Sequence, residues 1–163
     1  MCLILYKNHR ISKKEIAKED IECYKVLEKY KFLGKFTRYK TIVIFFKIKL
    51  GKQYSSKFEF GSETYFDKYL RCFSKRRTIE KGLHSFAKLK DAKAFCKDQF
   101  NLSLNHVIVK CYIPKGAEYY KGIFNEYEAY VSNKLKYTTE ILNIEKLELN
   151  KKVNLMFDDI LKD

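Results

Sequence analysis

The sequence predicts an α+β fold, a mainly antiparallel sheet with one or two amphipathic helices packed on it. Three observations predict it. Segments of β-branched and aromatic residues recur along the chain, Gly51-Lys52 makes a tight turn between two of them, and in two places apolar residues repeat at helical intervals. A length of 163 residues, 46% of them apolar, suits a single domain over residues 1–163 around one core. One Pro and six Gly leave no stretch with the composition of a linker.

Taken in order, residues 2–6 read as a short buried strand, and Ser12-Lys13-Lys14-Glu15 has the form of a capping box that opens a brief helix. Residues 21–30 alternate, with Ile21, Cys23, Lys25 and Leu27 on one parity and Glu22, Tyr24, Val26 and Glu28 on the other, which predicts a half-buried strand. Gly34 makes a turn. Residues 37–50 form the clearest strand, with Phe46, Ile48 and Leu50 opposed to Lys47 and Lys49, and after the turn at Gly51 a partner strand covers residues 53–60. Residues 63–74 are aromatic and mixed and take no assignment. Residues 82–86 read as a strand or turn feeding a helix over 88–100, where Leu89, Ala92, Phe95, Cys96 and Phe100 make the apolar stripe and Lys88, Lys90, Lys93 and Lys97 the cationic side. Residues 106–113 are a second strong strand, ended by Pro114-Lys115-Gly116. Tyr119-Tyr120 and the segments 129–134 and 136–149 suggest more strand, and Val153, Met156, Phe157, Ile160 and Leu161 a closing helix over 153–161.

Charge is the strongest functional signal. Lys and Arg number 34 against 20 Asp and Glu, a balance of +14, and residues 1–114 carry all of it (26 basic and 11 acidic side chains) while residues 115–163 are nearly neutral (8 and 9). Such a surface gathers anions and speeds their encounter, so nucleic acid, nucleotides and acidic proteins are the candidate partners. Lys far outnumbers Arg, which fits point-charge attraction to phosphate better than base reading, and fits equally a lysine-rich genome that uses Lys as a generic solvated residue. Cys2, Cys23, Cys72, Cys96 and Cys111 form no C-x-x-C pair, so neither a metal nor a redox disulfide is expected. The apolar opening ends at Lys7, too soon for a signal-peptide core, and no run approaches the eighteen or so apolar residues of a membrane helix. A cytoplasmic protein without a membrane segment is the expectation.

The phosphate loop G-x-x-x-x-G-K-[ST], G-x-G-x-x-G, H-E-x-x-H and G-x-S-x-G are all missing from the sequence, which excludes the common nucleotide-hydrolysing, Rossmann and hydrolase classes. The densest patterning is Gly82-Leu83-His84-Ser85-Phe86, then Ile113-Pro114-Lys115-Gly116 with Tyr119-Tyr120 and Gly122, then Tyr130-Val131-Ser132. With the Met1-Cys2-aliphatic opening and Cys23-Tyr24-Lys25-Val26, it resembles an uncharacterised group of small proteins from phages and gut bacteria. That resemblance implies a phage or mobile-element accessory or counter-defence role and no settled activity. The G-x-H-S and Tyr-x-Ser pieces are also similar to the ADP-ribosyltransferase fold, which implies NAD as substrate, His84 on its ribose, Ser132 as supporting hydroxyl and Glu126 or Glu128 as the acid. In that family E-x-E follows the Ser motif, whereas here it precedes Ser132.

Lys75-Arg76-Arg77, with Arg71 just before and Lys81 just after, is the densest cationic cluster, and Tyr65, Phe66, Tyr69 and Phe73 flank it. Cations attract phosphate and ring faces stack on bases, so these residue types in this pattern point to a phosphate-bearing ligand. The leading expectation is a non-enzymatic binding protein, without cofactor or metal, that uses Arg71, Lys75, Arg76, Arg77 and Lys81 with Tyr69 and Phe73 as stackers. The alternatives are the NAD-using enzyme and an inhibitor of an acidic host protein.

Overall fold

The computed structural model describes residues 3–4, 6–7, 10–11, 13–32, 36–41, 47–67, 72–100 and 105–143. In chain order β1 (Leu3–Ile4), β2 (Tyr6–Lys7), β3 (Arg10–Ile11), β4 (Glu15–Ile16), β5 (Ile21–Phe32), β6 (Phe36–Thr41), β7 (Lys47–Ile48), β8 (Gln53–Ser55), β9 (Glu59–Asp67), β10 (Cys72–Lys81) and β11 (Leu83–Phe86) lead to α1 (Leu89–Phe100). There follow β12 (His106–Ile113), β13 (Glu118–Phe124), β14 (Tyr127–Ser132) and β15 (Lys134–Asn143).

The α+β expectation is corrected here. Strand dominates, and α1, 12 residues long, is the single helix among the described residues, so the architecture is essentially all-β with one helical accessory. The capping box at residues 12–15 opens no helix. Glu15 and Ile16 pair instead with Tyr119 and Glu118 of β13, and the Glu15 carboxylate accepts the Tyr119 hydroxyl at 2.7 Å rather than a backbone N–H of a first helical turn. Tertiary pairing overrides the local signal. The closing helix expected over 153–161 lies outside the described residues.

One sheet runs in the order β8-β15-β12-β5-β11-β14-β13-β1-β10-β9, with β6 and β4 attached to β5 and β13 and β7 to β6. Its ladders are antiparallel throughout. The strands expected around residues 21–30 and 106–113 are its paired centre, with Cys23 opposite Cys111 and Leu27 opposite Val107. The turn at Gly51 is present, φ +81°, but its flanking strands do not pair with each other: β7 joins β6 and β8 joins β15. Asn125 and Glu126 both take positive φ, the geometry of a two-residue hairpin turn between β13 and β14.

Alternation along β5 and β12 divides the core. Cys23, Leu27, Val107, Val109, Cys111 and Ile113 pack with Leu135, Tyr137 and Tyr119 on one face. Val26, Ile108 and Phe86 face the other way and are covered by Ala92, Phe95 and Cys96 of α1, while Lys88, Lys90, Lys93 and Lys97 are exposed as the stripe predicts. A smaller cluster of Ile79, Ala129 and Val131 sits under Phe58, Tyr120 and Phe124.

Candidate functional site

Of residues 63–74, unassigned from sequence, 63–67 and 72–74 belong to a long antiparallel ladder and 68–71 lie outside the described residues. β9 and β10 pair in register from Phe66 opposite Phe73 through Thr64 opposite Lys75, Glu63 opposite Arg76 and Ser62 opposite Arg77 to Phe60 opposite Ile79. β1 reaches β10 only at Thr78 and Ile79, so among the described residues 72–77 pair with β9 alone and form a two-stranded ribbon at the sheet's edge. The cationic run is therefore strand. Consecutive strand positions alternate between faces, which puts positions 75 and 77 on one face and 76 on the other.

The two faces differ in charge. Positions 60, 62, 64 and 66 of β9 and 73, 75, 77 and 79 of β10 are Phe, Ser, Thr and Phe against Phe, Lys, Arg and Ile, with no carboxylate. Phe60 is 42% exposed and Ser62 and Thr64 are exposed too, so these β9 positions meet solvent, whereas Ile79 is buried. On the opposite face Glu63 and Asp67 share positions with Arg76, and the Glu80 side chain lies over Gly61, where a Cβ would meet its carboxylate. Lys81 is held by Glu59, Nζ to Oε1 2.5 Å. Tyr69 and Arg71 lie outside the described residues.

Elsewhere on the described surface five lysines pair with carboxylates, Lys14 with Glu118 (2.9 Å), Lys29 with Glu140 (3.0 Å), Lys40 with Glu28 (3.0 Å), Lys88 with Glu128 (2.5 Å) and Lys110 with Glu22 (2.6 Å), while Lys90, Lys93 and Lys97 of α1 are exposed. Part of the formal charge is thus locally balanced.

The other predicted group does not assemble. His84 is buried, its Nδ1 and Nε2 facing the Gly82 and Ile79 carbonyls at 3.2 and 3.3 Å, and burial together with the Lys25 ammonium holds the imidazole down at about 3. His84 pairs with Val131 and Ser132 with Leu83, so alternation puts His84 and Ser132 on opposite faces of the sheet. The Ser132 hydroxyl is fully buried and donates to the Lys134 carbonyl at 2.8 Å. Glu126 is an exposed turn residue, and Glu128 is occupied by Lys88.

Comparison with protein-family models, curated proteins and solved structures finds no match.

Sequence reasoning missed a polar site inside the sheet, although Lys25 shares the parity of Ile21, Cys23 and Leu27. Its side chain is buried, 9% exposed, and its ammonium donates to the His84 carbonyl at 2.6 Å. Burial pulls its pKa down to about 8, against the opposing pull of Cys111 and Cys23. A small cavity of about 10 Å³ lies between Lys25, Val26, Ser85, Phe86, Phe124 and Ala129, its walls almost wholly apolar. The Ser85 hydroxyl is buried with no oxygen or nitrogen partner and faces the Cys23 thiol, which burial raises to about 12. Cys23 and Cys111 are register partners, and the Lys29 N–H to Asn105 carbonyl bond (2.7 Å) sets the phase of that ladder, making theirs a hydrogen-bonded pair. Cβ atoms at such pairs stand farther apart than a disulfide takes, and burial raises the Cys111 thiol as well, so both remain inert thiols. Among the described residues no His, Cys, Asp and Glu gather as a metal site, and no helix is long and apolar enough to cross a membrane.

Proposed function

We propose that this chain is a non-enzymatic binding protein for an anionic, phosphate-bearing ligand, a nucleic acid or a nucleotide-type signal, held by the cationic stretch of β10. One observation carries the reading: the cationic run lies on an edge ribbon, and the register puts no carboxylate position among those that alternate with Lys75 and Arg77 on one side of it, from 60 to 66 and from 73 to 79. Cations gathered along one strand attract an external anion, and a two-stranded ribbon is a shape that a nucleic-acid groove admits. The resemblance to small phage and gut-bacterial proteins supports an accessory or counter-defence setting. The test is a titration of the protein with a generic oligonucleotide and a panel of nucleotides at rising salt. Binding that weakens linearly in log affinity against log salt is expected. Absence of binding to every member at low ionic strength removes the proposal.

A further inference from the structure

We infer that the ligand is a single-stranded nucleic acid lying along one face of the ribbon, the face of Phe60, Ser62 and Thr64 on β9 and Phe73, Lys75 and Arg77 on β10, and that Arg76 takes no part. This rests on the function just proposed and narrows it to a ligand class and to half of the cationic cluster. The face is an array matched to an extended polynucleotide. Positions 75 and 77 stand about 7 Å apart along the strand, the reach of one nucleotide of an extended chain. Their cross-strand neighbours Thr64 and Ser62 are exposed hydroxyl residues, suited to donate to phosphate oxygens.

Aromatic positions close the array at both ends. Phe60 keeps 42% of its surface in solvent although its ring rests edge-on against Tyr120, centroids 5.7 Å apart, and Phe66 and Phe73 are register partners at the far end. An exposed ring such as that of Phe60 beside a cationic strand is a stacking platform for unpaired bases. A duplex keeps its base faces to itself and so gains little from phenylalanines. A mononucleotide wants a concave pocket, and this surface is a strand face; the cavity beside Lys25, at about 10 Å³, holds no nucleotide. Across the ribbon, Arg76 shares its face with Glu63, Asp67 and the Glu80 carboxylate over Gly61, which repel a polyanion.

The experiment measures fluorescence anisotropy of labelled oligothymidylate at low salt with wild type, Lys75→Gln, Arg77→Gln, Arg76→Gln and Phe60→Ala, each checked for a wild-type unfolding midpoint. Phe60→Leu serves in place of Phe60→Ala if the latter is destabilised, since it keeps an apolar contact on Tyr120 without a flat ring. Lys75→Gln and Arg77→Gln are expected to weaken binding and to flatten its salt dependence by about one phosphate contact each. Removing the Phe60 ring should cost roughly 5- to 100-fold on oligothymidylate and nothing on an abasic strand. Arg76→Gln should stay within about twofold of wild type. An equal loss in Arg76→Gln, or equal affinity for oligothymidylate, abasic strand, duplex and inorganic polyphosphate, overturns the inference while leaving an anion-binding protein. No binding of any probe by wild type removes the proposed function along with it.

Discussion

The centre of the sheet and its edge ribbon use polar and apolar residues in opposite ways. On β5 a lysine is drawn inward, 9% exposed and hydrogen-bonded to a backbone carbonyl, beside a buried histidine. On β9 a phenylalanine is left 42% in solvent, in line with exposed Ser62 and Thr64. Both follow from the same alternation of side chains. At the centre the inner positions of one parity of β5, Cys23, Lys25 and Leu27, are buried, and whatever stands there is desolvated. Beyond Thr78 the ribbon has no described neighbour except its own partner strand, so neither parity needs to be apolar. Sheet position, more than residue type, decides which lysines can meet a ligand.

The strongest way to break this contrast is through His84, which has the largest electrostatic consequence. Its imidazole is held at about 3, against an ordinary 6.5, chiefly by burial and then by Lys25. Between those values the unfolded chain binds a proton that the native state refuses, so stability falls as pH drops through that window and is restored above it, by on the order of 5 kcal/mol over the full range. In urea unfolding, wild type should lose about 3 kcal/mol more than His84→Gln between about pH 7 and pH 4. Parallel losses in the two proteins would mean that the ring is hydrated and the interior reading is wrong.

Lys25 works in the alkaline range with a somewhat smaller effect. Its pKa falls from 10.5 to about 8 on folding, so between those values the native amine is neutral while the unfolded one is charged, and stability rises with pH across the window. Wild type should gain about 3 kcal/mol relative to Lys25→Met from about pH 8 to pH 10.5, read as the difference between paired denaturation curves so that the titrating tyrosines cancel. A constant difference would place the amine in water.

How much of this was legible in the sequence follows the same line between centre and edge. The strands over 21–30 and 106–113 and the helix over 88–100 were readable because each has one enclosed side, which writes a period of two or 3.6 into the residues. Residues 63–74 were not: the described parts of that stretch pair only with each other, and strands without a second neighbour are not held to one apolar parity. The cluster of Lys75, Arg76 and Arg77 was visible as composition, but its division between two faces needed the knowledge that it is strand. Lys25 left its one trace in parity with Ile21, Cys23 and Leu27, outweighed by the rule that lysines are solvated. Ser12 to Glu15 misled because a four-residue capping pattern says nothing of the β13 edge that captures Glu15 and Ile16.

Two glycines sharpen the comparison with the smallest expected effects, one on each side of the divide. Gly82 takes φ +148°, a conformation that side chains resist, and a Cβ there would stand 2.3 Å from Cγ1 of the fully buried Val131. Neither the strain nor the clash can relax without moving the core, so Gly82→Ala should cost about 2 kcal/mol. Gly61 has ordinary backbone, and the group its Cβ would meet is the carboxylate end of Glu80, an exposed and flexible side chain that can swing into water. Gly61→Ala should therefore fall within about 0.5 kcal/mol of wild type, helped by the lower entropy of the unfolded chain. Unfolding midpoints of the two variants decide the matter. Were Gly61→Ala as damaging as Gly82→Ala, Glu80 would have to be a fixed part of the ribbon, and the charge assigned to that face would be structural and not merely a deterrent to polyanions.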